Sequence, residues 1–256
     1  MKFDERFRIG MVHISKTNPQ DTIQRLTQAA IDGVGGYVCV TNLRMVNYAG
    51  KHPEYAEVME RSFMNLPDGV PLTWCGKAWG IRGIDVTNGP STFKAMLSNG
   101  DKRLRHFLLG DTEEVLAQIK HKYSGEFGTQ IVGTYSPPFL DVKDFDYEGI
   151  AKLISDSGAN IVWTAMTAPK QDIFGQMLNH YLPNVMCIGV GRAFRLSIGE
   201  VKDAPKWAKK LGIGGFFMRR RKWYKTGWWY IVNTISVLKY LFQIKMWKLD
   251  GKKYYE

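Results

Sequence analysis

The chain has 256 residues, of which 45% are hydrophobic and 13% aromatic, so it can hold one large domain or two small ones with a sizeable core. The three cysteines, Cys39, Cys75 and Cys187, lie in apolar surroundings, which favours reduced, buried thiols in a cytoplasmic protein over a disulfide framework or a metal site. Residues 1–10 lack an apolar h-region and no stretch reaches about 18 apolar residues, so we predict neither a signal peptide nor a transmembrane helix.

Positive charge is concentrated towards the C-terminus. The formal net charge is +11, and residues 201–256 hold 14 Lys and Arg against 3 Asp and Glu, so the first 200 residues are neutral overall. A neutral body with a basic tail indicates a polyanionic partner, either a phospholipid surface or nucleic acid. We therefore expect two parts, a core at 1–200 and a basic, aromatic C-terminal appendage at 201–256.

Short apolar segments alternate with longer amphipathic ones along the core. In chain order the pattern predicts a strand at 8–15, a helix at 18–33, a strand at 36–40, helices at 43–49, 53–64, 70–79 and 90–99, then alternating strands and helices at 106–110, 112–123, 130–135, 147–156, 160–164, 170–181 and 185–190. Helices between short apolar strands imply right-handed crossovers. The predicted fold class is α/β, a parallel sheet flanked by helices, which binds ligands at the carboxyl ends of its strands.

One acidic residue, Asp68, lies between a proline and a glycine in the segment 65–71. Pro67 restricts its own φ and Gly69 permits backbone angles that other residues avoid, so the loop could project Asp68 from a defined scaffold. Pro-Asp-Gly is also an ordinary turn tripeptide, and by itself the segment favours that interpretation. The expected position of the loop, at the ligand-binding edge of a sheet, makes Asp68 a candidate general base.

The loop at 164–171 joins a predicted strand to a predicted helix. Pro169 suits the first helical turn, which brings Lys170 and Gln171 near free backbone N–H groups that attract anions. This pattern suits a diphosphate or uracil site, and it equally suits a helix with a well-formed start.

Two further patterns are weak. The segment 189–191, Gly-Val-Gly, lacks the third glycine and the later acid of a dinucleotide fingerprint. Asp144 and Asp146 form an Asp-X-Asp pair of the kind that holds a metal in many sugar-nucleotide transferases, but their polar surroundings favour a solvated loop. The five histidines show no ligand spacing. We predict no metal site and no cofactor.

The tail combines basic, aromatic and aliphatic residues. Arg219, Arg220, Arg221 and Lys222 precede a mostly apolar helical run at 228–247, which begins with Trp228 and Trp229. Asn233, Ser236, Tyr240 and Gln243 recur at helical spacing and form a narrow polar stripe. Such a helix suits the plane of a membrane interface. A helix packed on the body or on a second subunit is the alternative, and the long aliphatic run argues against nucleic acid.

Taken together, the loops resemble those of the WecG/TagA/CpsF family of bacterial glycosyltransferases between about Arg8 and Trp223. The matching segments lie at 40–42, 66–72, 82–85, 107–110, 135–139, 167–171, 189–191 and 204–207. Their order and spacing are more specific than any one of them. The Pro-Pro-Phe and Thr-Ala-Pro-Lys-Gln segments are most similar to those of members that build exopolysaccharide and capsule repeat units.

The resemblance implies a modified Rossmann-like fold and an inverting transfer from a UDP-sugar to a sugar on a polyprenyl-diphosphate carrier. It implies that Asp68 is the base and that Thr41, Asn42 and Gln171 line the donor site. It also implies a basic appendage that docks on the membrane and helps close the active site. The full set of expected donor-binding residues is Thr41, Asn42, Gly69, Arg82, Gly110, Pro169, Lys170 and Gln171.

The chain departs from the family pattern at several positions. Ala165 and Thr167 replace glycines, Asp172 replaces a Glu, and Gly-Gly at 214–215 replaces Glu-Trp. Arg195 stands where the family typically has Asp, and Asp203 stands where it has Arg. Because these last two changes exchange sign, we predict an ion pair between Arg195 and Asp203.

The sequence therefore predicts a metal-independent hexosyl- or N-acetylhexosaminyltransferase with a UDP-sugar donor. It would act in polysaccharide biosynthesis on the cytoplasmic face of the bacterial membrane, as a peripheral protein and without a nucleic-acid partner; a homo-oligomer is left open. Arg219, Arg220, Arg221, Lys222, Trp228 and Trp229 are expected to contact the acceptor diphosphate or the membrane. The alternatives are a non-catalytic membrane-peripheral scaffold or nucleotide-sugar-binding subunit and, more distantly, a nucleic-acid-binding Rossmann-like protein.

Overall fold

The computed structural model describes residues 5–205, 207–208 and 223–255, of which 223–234 as backbone. In these ranges the strands are β1 (Arg6–Ile9), β2 (Val12–Ser15), β3 (Gly36–Thr41), β4 (Met64–Pro67), β5 (Arg105–Gly110), β6 (Gln130–Tyr135), β7 (Ile161–Ala165) and β8 (Met186–Gly189). The helices are α1 (Pro19–Ile31), α2 (Leu43–Ala49), α3 (Pro53–Glu60), α4 (Val70–Ala78), α5 (Gly89–Asn99), α6 (Glu113–Phe127), α7 (Tyr147–Ser157), α8 (Lys170–Tyr181), α9 (Ala193–Ser197) and α10 (Trp223–Leu249).

Six strands form one parallel sheet in the order β4-β3-β8-β7-β5-β6. The α/β, Rossmann-like fold class is confirmed. The last strand, β8, lies between β3 and β7, so the loops after β3, β8 and β7 are neighbours at the carboxyl edge. Connections leave β5 and β7 in opposite directions, which makes the crevice between them a topological switch point.

Helices cover both faces of the sheet with apolar side chains. On one face Leu26, Phe93 and Trp163 belong to a buried cluster, and on the other Tyr55 and Phe174 belong to a second. Burying a side chain of this size contributes about 1.5–3 kcal/mol. The two layers cover the faces of the sheet and leave its carboxyl edge to the loops.

Side-chain caps define where several helices begin. Asn18, Asn42, Asn88 and Asp146 each accept a hydrogen bond from a backbone N–H three residues later, at 2.9–3.3 Å. This satisfies one of the free donors of a first helical turn. The Asp146 carboxylate therefore starts α7, which agrees with the solvated-loop interpretation of the Asp144 and Asp146 pair.

The structure corrects two predicted elements. The predicted strand at 8–15 is a separate antiparallel hairpin of β1 and β2, because Gly10 has a φ of 60° and turns the chain. The predicted helix at 53–64 ends at Glu60, and the four buried residues of Met64–Pro67 form the edge strand β4. Pairing with β3 outweighed the helical pattern there, and it delivers Asp68 to the sheet edge.

Helix α10 packs on α2 and α4. Two residues of its predicted polar stripe face the body: Asn47 donates to Ser236 Oγ at 3.0 Å and accepts from the Tyr240 hydroxyl at 3.0 Å. Apolar residues face outward, with 41–71% of the residue surface exposed at Ile235, Leu238, Phe242, Met246 and Leu249. We call these five the outward stripe. Within the described ranges, no helix combines the length and the apolar character needed to cross a bilayer.

Candidate functional site

The Asp68 loop is tied to its neighbours by backbone hydrogen bonds. Asp68 N donates to Thr41 O at 2.7 Å and to Leu66 O at 3.0 Å, which joins the ends of β3 and β4. The carbonyl of Pro67 accepts from Thr87 N at 2.9 Å, so the loop that carries Arg82 packs alongside. Gly69 has a φ of 133°, a conformation that glycine adopts at little cost. The loop is therefore anchored to the sheet edge, unlike an ordinary surface turn.

The Asp68 side chain is half-buried beside polar partners. Burial raises the pKa of Asp68 from 3.8 to about 6, while a hydrogen bond from Asn42 and the charge of Arg192 lower it. A carboxylate with a pKa near 6 is largely ionised at pH 7 and is a stronger proton acceptor than an exposed one. The group therefore has the protonation state and basicity that a general base needs.

Thr41 and Asn42 support this loop in different ways. Thr41 is buried, and its hydroxyl donates to the Asn65 side chain, so it acts on Asp68 through its backbone carbonyl. Asn42 caps α2 with its side-chain oxygen and hydrogen-bonds Asp68. The structure thus brings Thr41, Asn42 and Asp68 together.

Gln171 is buried and clamps the loop after β8. Its Nε2 donates to Gly189 O at 3.3 Å, and its Oε1 accepts from Gly191 N at 3.1 Å. A Cβ on Gly189 would lie 2.7 Å from the Gln171 side chain, so a larger residue there would displace Gln171. Gln171 therefore positions the loop after β8, and its expected contact with the donor stays a prediction.

The other residues of the 164–171 loop make contacts within the protein. A cis peptide bond precedes Pro169, which caps α8. The Lys170 ammonium donates to Leu140 O and lies 4.9 Å from the Phe139 ring centroid and 5.0 Å from that of Phe145. Lys170 thus holds the 139–145 segment in this structure, and its contact with a donor stays a prediction.

Gly110 and Arg82 occupy different parts of the edge. Gly110 ends β5 with a φ of 106°, and a Cβ there would lie 3.2 Å from the backbone nitrogen of Ala165. It therefore allows β5 and β7 to approach closely at the switch point. Arg82 is exposed on the loop that packs beside Pro67.

The predicted ion pair between Arg195 and Asp203 is wrong. Within the described part of the chain, Arg195 pairs with Asp111 and Glu200 instead. Asp111 follows Gly110 and has a φ of 61°, which is unusual for a residue other than glycine. Arg195 and Asp203 belong to neighbouring segments of the chain, whereas Asp111 comes from the end of another strand, β5.

Two residues near the site had no predicted role. Arg192 follows Gly191 at the end of β8 and acts electrostatically on Asp68. Asp172 is buried and accepts from the Tyr55 hydroxyl at 2.6 Å, and burial raises its pKa to about 7. Arg192 stands next to the Gly-Val-Gly segment, and that position at a strand end is the signal that could have identified it.

The predicted contacts of the tail fall largely outside the described residues. Arg219, Arg220, Arg221 and Lys222 lie outside them, and Trp228 and Trp229 belong to α10 where its side chains are not described. The residues that are described contain no group of His, Cys, Asp and Glu arranged to hold a metal ion. All three cysteines are free and buried, as the sequence predicted.

The edge geometry defines a Rossmann-like α/β protein whose polar loops converge at the carboxyl ends of its parallel strands. The family model described as Glycosyl transferase WecG/TagA/CpsF family matches residues 7–249. The chain belongs to this family and is a glycosyltransferase, which confirms the resemblance inferred from its motifs.

Two relatives share much of the chain. An N-acetylglucosaminyldiphosphoundecaprenol N-acetyl-beta-D-mannosaminyltransferase of Bacillus subtilis (strain 168) is 26% identical over 185 residues, which is 72% of this chain and 71% of the relative. A protein of the same name from Bacillus spizizenii (strain ATCC 23059 / NRRL B-14472 / W23) is 27% identical over 175 residues, which is 68% of this chain and 66% of the relative.

Proposed function

We propose that the protein is an inverting glycosyltransferase that moves a hexosyl or N-acetylhexosaminyl group from a UDP-sugar to a sugar on polyprenyl diphosphate. The reaction would serve cell-surface polysaccharide biosynthesis, of exopolysaccharide or capsule. The observation that carries the proposal is Asp68, a carboxylate with a raised pKa held at the carboxyl edge by Thr41 and Asn42. The printed names of the two relatives, which describe transfer to a sugar on diphosphoundecaprenol, support the acceptor class.

In the proposed step the acceptor hydroxyl oxygen attacks the anomeric carbon of the donor. Asp68 takes the hydroxyl proton, the bond from that carbon to the diphosphate oxygen breaks, and UDP leaves with the electron pair. Attack from the face opposite UDP inverts the anomeric configuration. Positioned general-base catalysis of this kind contributes about 10²–10⁴-fold in rate.

We propose that the transfer is metal-independent, with backbone N–H groups and cationic side chains holding the diphosphate. Arg82 and the loop clamped by Gln171 are candidates for that contact. A chelator such as EDTA is then expected to leave turnover unchanged. Loss of turnover with EDTA and its recovery with Mg²⁺ or Mn²⁺ would overturn this part of the proposal.

We propose that the outward stripe docks on the cytoplasmic face of the membrane. Five exposed apolar side chains on one helix face form a surface that soluble proteins rarely leave in water. Lys239 and Lys245 are exposed on the same helix, and each cation near an anionic leaflet contributes about 1 kcal/mol. Docking there would bring the enzyme to an acceptor that is itself anchored in the bilayer.

The catalytic proposal is tested by measuring UDP release from a panel of UDP-sugars with a synthetic polyprenyl-diphosphate-linked N-acetylglucosamine acceptor. Asp68→Asn is expected to lower kcat by about 10²–10⁴-fold while UDP binding persists. Asp144→Asn, which changes an exposed acid of the polar loop, is the matched control and is expected to retain activity. UDP-sugar binding without any turnover in the wild type would favour the non-catalytic scaffold.

The membrane proposal is tested by sedimentation with vesicles that contain anionic lipid. Leu238→Glu combined with Phe242→Glu is expected to leave most of the protein in the supernatant. Leu153→Glu, at an apolar residue that is 43% exposed on α7, is the control and should sediment as the wild type does. Unchanged sedimentation of the double variant would contradict docking through this stripe.

A further inference from the structure

Arg192 stands at the centre of the carboxyl edge. It follows Gly191 directly after β8, and β8 lies between β3, which ends at Thr41, and β7. Its side chain is exposed. The Asp68 loop, bonded through its backbone to Thr41, is one strand further along.

The loop that presents Arg192 is held from several sides. Gln171 bonds both Gly189 and Gly191, and Val190 N donates to Thr164 O at 2.9 Å. On another side Gly89 approaches so closely that a Cβ would lie 3.1 Å from the Val190 Cα. A cation on a loop fixed in this way starts from a defined position, which lowers the entropy lost when it binds a ligand.

Charge is unevenly distributed along the carboxyl edge. The Lys170 ammonium holds the Leu140 carbonyl, and the Arg195 guanidinium holds two carboxylates. The edge near β5 is also acidic, because Asp111 is followed by Glu113 and Glu114 in the first turn of α6. A dianionic ligand is therefore favoured on the β3 and β8 side of the edge, where Arg192 lies.

We propose that Arg192 binds the diphosphate of the nucleoside-diphosphate sugar and stabilises the negative charge on the departing nucleoside diphosphate. This inference rests on the proposed function, and it assigns the contact with the leaving diphosphate to one residue. While Asp68 accepts the proton from the acceptor hydroxyl, the electron pair of the broken carbon–oxygen bond stays on the diphosphate oxygen. A guanidinium suits that group because its planar N–H donors match two phosphate oxygens at once.

The electrostatics of Asp68 agree with this placement. The positive charge of Arg192 lowers the pKa of Asp68 against the effect of burial. Arg192 and Asp68 therefore lie within electrostatic range of each other. Such proximity is required of a general base and of a residue that binds the leaving group, because both act at the same anomeric carbon.

The inference is tested by titration calorimetry with UDP and by steady-state kinetics on the full chain. Arg192→Gln is expected to weaken UDP binding by about 10- to 100-fold, because it removes charge-assisted hydrogen bonds. It should also lower kcat. Arg192→Lys should recover part of the UDP affinity, since it restores the charge without the planar fork. Arg61→Gln is the matched control, because Arg61 is exposed and precedes β4 at the opposite edge of the sheet.

The outcomes separate this inference from the proposed function. UDP affinity that is unchanged in Arg192→Gln, with only the acid limb of the pH–rate profile displaced, would overturn the inference and leave Arg192 as a charge partner of Asp68. A wild type that binds no UDP and releases none would instead refute the proposed UDP-sugar donor. Thermal unfolding of each variant checks that the fold is retained.

Discussion

Arg195 donates two parallel hydrogen bonds to Asp111, from Nε to Oδ2 at 3.0 Å and from Nη2 to Oδ1 at 2.6 Å. The pair joins α9, which follows β8, to the loop after β5, and so it reaches across the end of β7. Glu200 takes the remaining Nη1 at 2.6 Å. Asp111 thereby keeps a backbone conformation that is costly without such support.

We expect Arg195→Ala to destabilise the protein by about 1–3 kcal/mol, because it leaves a mostly buried carboxylate without its main partner. A double-mutant cycle with Asp111→Asn, measured by urea unfolding, isolates the coupling of the two side chains. Two residues in contact should show a coupling of about 0.5 kcal/mol or more. Additivity of the two single variants within error would show that the pair contributes nothing to stability.

The raised pKa of Asp68 predicts a specific pH–rate profile. The base must be ionised, so kcat/KM should fall about tenfold per pH unit below a pKa of about 6. Measurement between pH 4.5 and 8.5 at saturating acceptor tests this. A kcat/KM that stays constant down to about pH 5, as the ordinary pKa of an exposed aspartate near 4 would give, would contradict the desolvated environment of Asp68.

Asp172 predicts a pH dependence of stability. Its pKa rises from 3.8 in the unfolded chain to about 7 in the fold because of burial, so the folded state binds the proton more tightly. The resulting stabilisation is fully present below pH 4 and is lost as the pH rises through 7, by up to about 4 kcal/mol. Asp172→Asn should remove this dependence.

The measurement is the Tm of Asp172→Asn and wild type between pH 4.5 and 8. The Tm of the variant is expected to rise relative to that of the wild type as the pH rises, since the introduced amide never ionises. Asp144→Asn, at an exposed acid, should follow the wild type throughout. A Tm difference that stays constant with pH would show that Asp172 does not titrate in this range.

The backbone conformation of Gly110, at the switch point, predicts that a larger residue there destabilises the protein. Gly110→Ala is expected to cost about 1–3 kcal/mol, because its φ of 106° is unfavourable for a residue with a Cβ and the Ala165 backbone is close. Gly125→Ala is the control, since Gly125 lies in α6 and a Cβ there would meet none of the described residues within 4 Å. That change should stabilise by up to about 1 kcal/mol. Equal effects in urea unfolding would contradict the strain argument.

The sequence by itself determined the alternation of strands and helices and the identity of the Asp68 loop. Periodicity and turn residues are local properties, so elements such as α2, α8 and β6 could be predicted with their observed bounds. The order of the motifs, from Thr41 to Gln171, was enough to identify the family. These features depend on residues that are neighbours in the chain.

Only the tertiary structure decided which groups share an environment. The sequence contains no local signal that β8 lies between β3 and β7, so the approach of Arg192 to Asp68 and of Arg195 to Asp111 could not be predicted from it. The same holds for α10, where Ser236 and Tyr240 turn inward to Asn47. The charge of a side chain and its position on a helix can be read from the sequence. Its partner depends on strand order and long-range packing, because these bring together residues that are distant in the chain.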